Sequence, residues 1–267
     1  MKGRAPNPPG GQPWLSSITV TILAVAIAYL CLDEPVARGL RTVGGDPTGF
    51  FRAITDVGLA VWYLVPSGAL ILLAAFAPPL RVLDRASARL AVLVGRAAYL
   101  FVAVGGVSLL MGIVKRGIGR ARPKLMEKVG AFDFVPMSFD GAYASFPSGH
   151  ATTVGAAAVA LSFFFPRWRL PIFFAAILVA LSRVMVGAHF PSDVIAGFTL
   201  GAAAAWVLAA WLAREAFGLS GCRRRHYKDA RPPASPPTGR HRRRALATLV
   251  RRLTGSLRAR PENPPAA

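Results

Sequence analysis

Residues 143–165, YASFPSGHATTVGAAAVALSFFF, place a Pro-Ser-Gly-His turn directly before an apolar stretch of nearly membrane-spanning length. An imidazole, His150, therefore lies at the edge of a segment predicted to cross hydrocarbon. Ionisable side chains are costly at such a depth, so their presence there indicates function. What His150 does depends on which other polar residues the fold brings to the same membrane face.

The composition is that of a membrane protein. Of the 267 residues 54% are hydrophobic and only 16% charged, and the mean hydropathy is +0.45, which is too apolar for an ordinary soluble domain of this size. Charges and Pro/Gly clusters divide the chain into six apolar segments, which are 15–32, 57–77, 89–114, 150–165, 170–188 and 194–213. The sequence therefore predicts an all-α, polytopic bundle of six transmembrane helices over residues 15–213.

The distribution of Lys and Arg between the loops predicts the orientation of the bundle. Most loop cations lie on one side if residues 1–14 are cytoplasmic, which places both termini in the cytoplasm. The cluster from Lys115 to Lys128 falls on the outer side and needs another explanation. The first apolar segment also fits a signal peptide, but it is long and has no clean small-residue cleavage site, so we expect an uncleaved helix.

The C-terminal segment, residues 214–267, is rich in Arg, Pro and Ala, and we expect most of it to be disordered. Within it, residues 241–258 place apolar side chains at helical spacing among arginines. This pattern predicts either an amphipathic helix on anionic lipid headgroups or a solvated tail that only enforces orientation. No aromatic residue interleaves the arginines, so we expect no nucleic-acid partner.

Helices three to six alternate in direction, which brings three distant parts of the sequence to one membrane face. The candidate site residues at this face are Lys115, Arg122, Ser148, Gly149, His150, Arg183, His189 and Asp193. The three cations supply fixed positive charge and forked donors, which suit the oxygens of a phosphate. Ser148 is a natural N-cap for the fourth helix, whose free amides add further donors. These residues predict an anion site.

The two histidines are predicted to divide the chemistry between them. A carboxylate at Asp193 can accept the proton of one ring nitrogen of His189, which leaves the other nitrogen free as a nucleophile. His150, when protonated, can give its proton to the departing oxygen. The ligand types of His150, His189 and Asp193 also fit a metal ion, but three nearby cations would repel one, so we expect no metal.

The motifs resemble a known signature. Lys115-x6-Arg122-Pro123, Pro147-Ser148-Gly149-His150 and Ser182-Arg183-x5-His189-x3-Asp193 are similar to the three-part signature of the type 2 phosphatidic acid phosphatase family, which shares its core with the vanadium haloperoxidases. The resemblance covers about residues 50–213. It implies a six-helix membrane bundle without a metal or other cofactor.

The resemblance also implies a role for each site residue. Phosphate binding falls to Lys115, Arg122, Ser148, Gly149 and Arg183. Acid catalysis falls to His150, nucleophilic attack to His189 and orientation of the nucleophile to Asp193.

The expected function is a bacterial inner-membrane phosphatase that acts on a lipid phosphate from the periplasmic side. Undecaprenyl pyrophosphate, phosphatidylglycerol phosphate, phosphatidic acid and lipid A are all compatible substrates. A phosphotransferase needs the same residues and stays open as an alternative. A haloperoxidase fits a membrane-embedded site less well. An anion or lipid transporter is the alternative of another class, although its substrate site would lie nearer the bilayer midplane and within repeats.

Overall fold

The computed structural model describes residues 13–42, 48–76 and 84–228, and these form nine α-helices. The helices are α1 (Pro13–Ile27), α2 (Asp33–Thr42), α3 (Thr48–Thr55), α4 (Val61–Phe76), α5 (Asp84–Ile118), α6 (Met126–Val129), α7 (Gly149–Phe164), α8 (Arg169–Met185) and α9 (Pro191–Lys228). The described ranges contain no β-strand, and a single isolated bridge pairs Arg120 with Phe134. The predicted all-α class is therefore confirmed for this part of the chain.

Five helical stretches among the described residues are long and apolar enough to cross a membrane. They are Leu15–Leu40, Gly49–Phe76, Arg89–Ile118, Pro166–Met185 and Pro191–Arg214. Helix α7, the fourth of the six predicted crossings, is apolar but only 16 residues long. By length and composition the protein is thus a multi-pass membrane protein with five candidate spans and one shorter apolar helix.

The first span extends beyond the apolar segment from which it was predicted. A π-helical turn, Ala28–Leu32, joins α1 to α2, so that Asp33 lies within the span rather than after it. The carboxylate is fully buried and paired with Arg120. This pairing explains why an acidic residue is tolerated where the apolar pattern placed the end of the helix.

Helix α7 forms the centre of the bundle. Its residues 151–160 are all buried, and it packs against both α5 and α8. Glycines allow α7 and α9 to approach closely, because a Cβ on Gly155 would stand 2.2 Å from the Phe198 carbonyl oxygen and one on Gly201 would stand 2.0 Å from that of Thr152. Such close backbone contact is typical of membrane helices that pack through glycine and alanine.

Backbone hydrogen bonds join residues 119–122, which follow α5, to the long loop before α7. Gly119 has a φ of +65°, and a Cβ there would lie 1.8 Å from the Val135 carbonyl oxygen. On either side of this contact, the Arg122 amide donates to the Ala142 carbonyl at 2.9 Å, and the Ser145 amide donates to the Arg120 carbonyl at 3.1 Å. These backbone hydrogen bonds fix the segment that carries Arg120 and Arg122.

The chain divides into two compact units, Met1–Arg214 and Glu215–Ala267. The first unit holds every candidate site residue. The second is described only as far as Lys228, as helix. The predicted amphipathic helix 241–258 lies outside the described residues, as does most of the predicted cytoplasmic segment 1–14.

Candidate active site

The predicted site residues lie at or just beyond the ends of four helices, α5, α7, α8 and α9. Lys115 is in the last turn of α5, Arg183 in the last turn of α8, and Asp193 in the first turn of α9. The charges of Arg183, Arg122 and Lys115, together with His189, all act electrostatically on His150, which is in the first turn of α7. The fold therefore brings the three cations and both histidines into one site.

Two guanidinium groups of this site each have a buried donor that no described protein group satisfies. The Nε atoms of Arg122 and Arg183 are buried without a hydrogen-bond partner among the described residues. Arg183 is held at its far end, where Nη1 donates to the Thr55 hydroxyl at 2.9 Å. Buried donors without partners are rare in native proteins, and here they mark the place where an anion can bind.

The N-terminus of α7 adds further donors to the same place. Ser148 is the N-cap residue, as predicted, but its side chain makes no capping hydrogen bond. Its hydroxyl is instead buried without a partner in the described part of the chain, and its amide donates to the Asp193 carbonyl at 3.0 Å. A Cβ on Gly149 would meet nothing within 4 Å. The helix thus presents an open, positively polarised end.

His150 is supported by a turn that the sequence motifs do not include. The 3₁₀ turn Asp56–Gly58 packs beneath its ring, and a Cβ on Gly58 would stand 3.0 Å from the Cβ and Cδ2 atoms of His150. Thr55, which binds Arg183, directly precedes this turn. One short segment therefore positions both a cation and an imidazole, and no sequence pattern marked Thr55 or Gly58 for this role.

The His189 ring is buried, and its hydrogen bond defines its tautomer. Nδ1 lies 2.9 Å from the Ser145 carbonyl oxygen, which can only accept, so Nδ1 carries the proton and Nε2 keeps its lone pair in the neutral ring. The nearer oxygen of Asp193 is 3.6 Å from Nδ1. The expectation that Asp193 directly accepts this proton therefore needs correction, because the Ser145 carbonyl accepts it and Asp193 acts at longer range.

Burial lowers the pKa of His189 below its usual value of 6.5. The Asp193 carboxylate opposes this shift by stabilising the protonated ring, whereas Arg122 and Arg183 add to it by repulsion. The imidazole is consequently neutral at pH 7, which is the form in which Nε2 can attack an electrophile.

Asp193 is fixed by several donors. One oxygen accepts from the Ser145 hydroxyl at 2.6 Å and from the Phe190 amide at 2.9 Å. The other accepts from Arg120 Nη1 at 2.6 Å. Pro191 begins α9, so the bond to the Phe190 amide is a capping interaction from the first turn back to the preceding residue. Ser145 and Arg120 are thus functional neighbours that the sequence motifs left out.

The described residues hold no group of three or more His, Cys, Asp or Glu side chains placed to bind a metal ion. His150 and His189 instead interact with cations. The chemistry of this donor set favours an anion over a metal ion.

Comparison with known proteins identifies relatives of this chain. The sequence pattern of the PAP2 superfamily matches residues 96–217. A lipid A 1-phosphatase of Rhizobium etli is 39% identical over 188 residues, which cover 70% of this chain and 80% of that protein. An undecaprenyl-diphosphatase of Sulfolobus acidocaldarius is 38% identical over 103 residues, which cover 36% of this chain and 47% of that protein.

A solved structure shares the fold. The crystal structure of a transmembrane PAP2-type phosphatidylglycerolphosphate phosphatase from Bacillus subtilis superimposes with a TM-score of 0.52 at 22% identity, covering 75% of this chain and 96% of that one. The match in sequence to the Rhizobium etli protein extends over most of both chains. This chain therefore belongs to the PAP2 superfamily, as a multi-pass membrane member of it.

Proposed function

We propose that the protein is an integral membrane phosphatase that removes a phosphate or pyrophosphate group from a lipid through a phosphohistidine on His189. The observation that carries this proposal is a group of three buried donors without a hydrogen-bond partner among the described residues, Arg122 Nε, Arg183 Nε and Ser148 Oγ. Three unsatisfied donors around one open helix end are what a tetrahedral, multiply charged oxyanion requires.

The first chemical step forms a covalent intermediate. Nε2 of His189 attacks phosphorus and forms a P–N bond, while the P–O bond to the lipid breaks and its electron pair stays on the lipid oxygen. His150, which enters the step protonated, gives its proton to that oxygen. Burial and the neighbouring cations both disfavour a charge on His150, and a bound phosphate dianion would favour it by opposing the field of those cations.

The second step releases phosphate. Neutral His150 takes a proton from water, the water oxygen attacks phosphorus, and the P–N bond breaks with its electron pair returning to Nε2. Lys115, Arg122 and Arg183 remain to stabilise the charge on the equatorial oxygens throughout. No step needs a metal ion, so we expect activity to survive EDTA and to be inhibited by vanadate, which mimics five-coordinate phosphorus.

Among the compatible lipids, we propose lipid A as the first substrate to test. The relatives named lipid A 1-phosphatase align with about twice as much of this chain as those named for other lipids, 70% against 36% and 35%. Fixed cations bind any phosphate, so the choice among lipids depends on contacts outside the phosphate site.

The test is release of inorganic phosphate by detergent-purified protein from lipid A, undecaprenyl pyrophosphate, phosphatidylglycerol phosphate and phosphatidic acid. We expect wild type to release phosphate and His189→Ala to be folded but inactive, because no other group replaces the nucleophile. Substantial turnover by folded His189→Ala would refute the phosphohistidine. Transfer of the phosphate to a second lipid without free phosphate would identify a phosphotransferase instead.

We further propose that the site faces the periplasm of a bacterial inner membrane and that both termini are cytoplasmic, with the basic tail near anionic headgroups. The bias of Lys and Arg between the loops supports this orientation. Phe139 in the loop before α7 is 84% exposed and suits a reporter. In a Cys31→Ser background, Phe139→Cys should react with an impermeant maleimide in spheroplasts while native Cys222 does not. The reverse labelling pattern would place the site in the cytoplasm.

A further inference from the structure

A buried ion cluster lies on the Nδ1 side of the His189 ring. Its centre is Arg120, whose side chain is 0% exposed. Nη1 is 2.6 Å from an oxygen of Asp193, and Nη2 is 2.7 Å from an oxygen of Asp33. The rings of Phe190 and Tyr29 lie 4.3 and 4.9 Å from the guanidinium carbon. One guanidinium therefore bridges the carboxylate next to His189 to a carboxylate of α2.

Asp33 also holds the first turn of α9 directly. One of its oxygens accepts from the Ser192 amide at 2.9 Å, and the other accepts from the Ser192 hydroxyl at 2.5 Å. Arg120 Nη1 donates to the same hydroxyl at 2.7 Å. A residue 160 positions earlier in the chain thus fixes the helix turn that carries Asp193.

The protonation of the cluster follows from its hydrogen bonds. Both oxygens of Asp33 and both oxygens of Asp193 accept from donors, so each side chain is a carboxylate. One guanidinium between two carboxylates leaves one net negative charge. A protonated or phosphorylated imidazole at His189 carries one positive charge, and 3.6 Å separate its Nδ1 from Asp193. The cluster therefore has the charge that balances this ring during the reaction.

We propose that Asp33 is a positioning residue for the nucleophile. Through Arg120 and Ser192 it fixes Asp193, and it keeps the cluster at the single negative charge that stabilises the phosphoimidazolium of His189. This inference rests on the proposed phosphohistidine mechanism. Asp33 lies outside all three sequence motifs and outside residues 96–217, the part that the superfamily pattern matches.

The test uses four variants whose cluster charges differ in a defined way. Asp33→Asn leaves the cluster neutral, Arg120→Gln leaves two negative charges, and the double variant restores one negative charge. Glu34→Gln is the matched control, because Glu34 is the next residue on α2 and pairs only with exposed Arg38 among the ion pairs described. Initial rates of phosphate release from the preferred lipid phosphate give kcat and KM for each.

We expect Asp33→Asn to lower kcat about 10- to 100-fold with KM changed less than threefold, because the lost interaction acts on the reacting ring and not on bound substrate. Glu34→Gln should match wild type. The double variant should exceed Arg120→Gln in kcat, because neighbouring charges in one network are not additive. A purely structural role predicts instead that the double variant is the worst of the three.

Asp33→Asn with the kcat of Glu34→Gln would overturn the inference while leaving the proposed function intact. Wild type that hydrolyses no lipid phosphate would overturn the proposed function and this inference with it. If Asp33→Asn does not yield folded protein, Ser192→Ala becomes the deciding variant, since it keeps both charges and removes hydroxyl contacts to Asp33 and Arg120. We expect its kcat to fall several-fold at constant KM, and an unchanged kcat would again overturn the inference.

Discussion

Arg120 and Arg122 are two residues apart on the segment that follows α5, yet their side chains differ in burial and in partners. Arg120 is fully buried between two carboxylates and two aromatic rings. Arg122 is half-buried, and its Nε has no protein partner in the described part of the molecule. The paired arginine holds the protein together, whereas the unpaired one is available to a ligand. A cation paired with carboxylates of the protein has a structural role, whereas a cation without such partners can bind a ligand, although both residues are arginines.

The Nε of Arg120 also has no partner among the described residues, but this does not weaken the contrast. Its terminal nitrogens donate to Asp33, Asp193 and Ser192 and to the Ala131 carbonyl. Arg122 is only half-buried, and its charge acts on His150 and on Arg183.

The largest effect is expected on stability, from substitution of Arg120. Arg120→Met leaves two buried carboxylates without their counter-charge, and we expect it to lower the free energy of unfolding by about 3–5 kcal/mol. Thermal unfolding in detergent measures this loss. Arg122→Met is the matched control and should be as stable as wild type or more so, because it removes one of three like charges. Equal stability of the two variants would contradict the distinction.

The second effect concerns activity. Arg122→Ala should lower kcat/KM for a lipid phosphate about 100- to 1000-fold, the cost of removing one donor to the charge of a transition state. Arg116→Ala is the control, since Arg116 is exposed and contacts the ring of Phe139 at 6.0 Å. Steady-state kinetics on both variants decide the point. A similar loss in both would mean that Arg122 acts only through the general positive charge of this face.

The pKa of His189 depends on Arg122 directly and on Asp193, the partner of Arg120, so its titration tests the same comparison. Burial, Arg122 and Arg183 lower its pKa, and Asp193 raises it. We expect its ring to titrate below pH 6.5 in wild type, at lower pH still in Asp193→Asn, and at higher pH in Arg122→Ala. NMR of ¹³C-labelled histidine, assigned with His189→Gln, follows the midpoint. A midpoint above 6.5 in wild type would contradict the stated cause.

The smallest effect is expected in the outer loop. Phe134 pairs through its backbone with Arg120, whereas Phe139 is 84% exposed. We expect Phe139→Ala to change the ratio of kcat/KM between two lipid phosphates about threefold, since apolar contacts discriminate weakly. Turnover of a short-chain soluble phosphate should not change. An equal loss on every substrate would show that the loop only supports the fold.

Much of the fold follows from the apolar pattern of the sequence. Predicted segments 89–114 and 194–213 lie within the candidate spans Arg89–Ile118 and Pro191–Arg214. The surroundings of helix α7 are harder to predict from the sequence, because its ten consecutive buried, mostly small residues leave no polar face that would show which side is exposed. The predicted segment 15–32 begins where the first candidate span begins but ends eight residues before Leu40, because the charge of Asp33 resembles a boundary.

The motif residues were predictable because each of the three motifs has a short, fixed spacing within one segment of the sequence. The residues that support the motif side chains were not predictable. Asp33 and Arg120 are 87 positions apart, and Thr55 and Arg183 are 128 apart. Such contacts depend on how helices pack, which no single segment encodes. The one available signal was Asp33 itself, an acidic residue at the end of an apolar stretch, and such residues usually have a partner and a function.

The glycine contacts between α7 and α9 have a consequence for motion. A Cβ on Gly197 would stand 2.4 Å from the Ser148 carbonyl oxygen, so the two helices touch backbone to backbone beside the site itself. Helices this close cannot slide or rotate past each other without a clash. His150 at the start of α7 and Asp193 at the start of α9 therefore travel as one rigid body. We therefore expect a bulky lipid to be admitted by displacement of the surrounding helices, while His150 and Asp193 keep their relative positions.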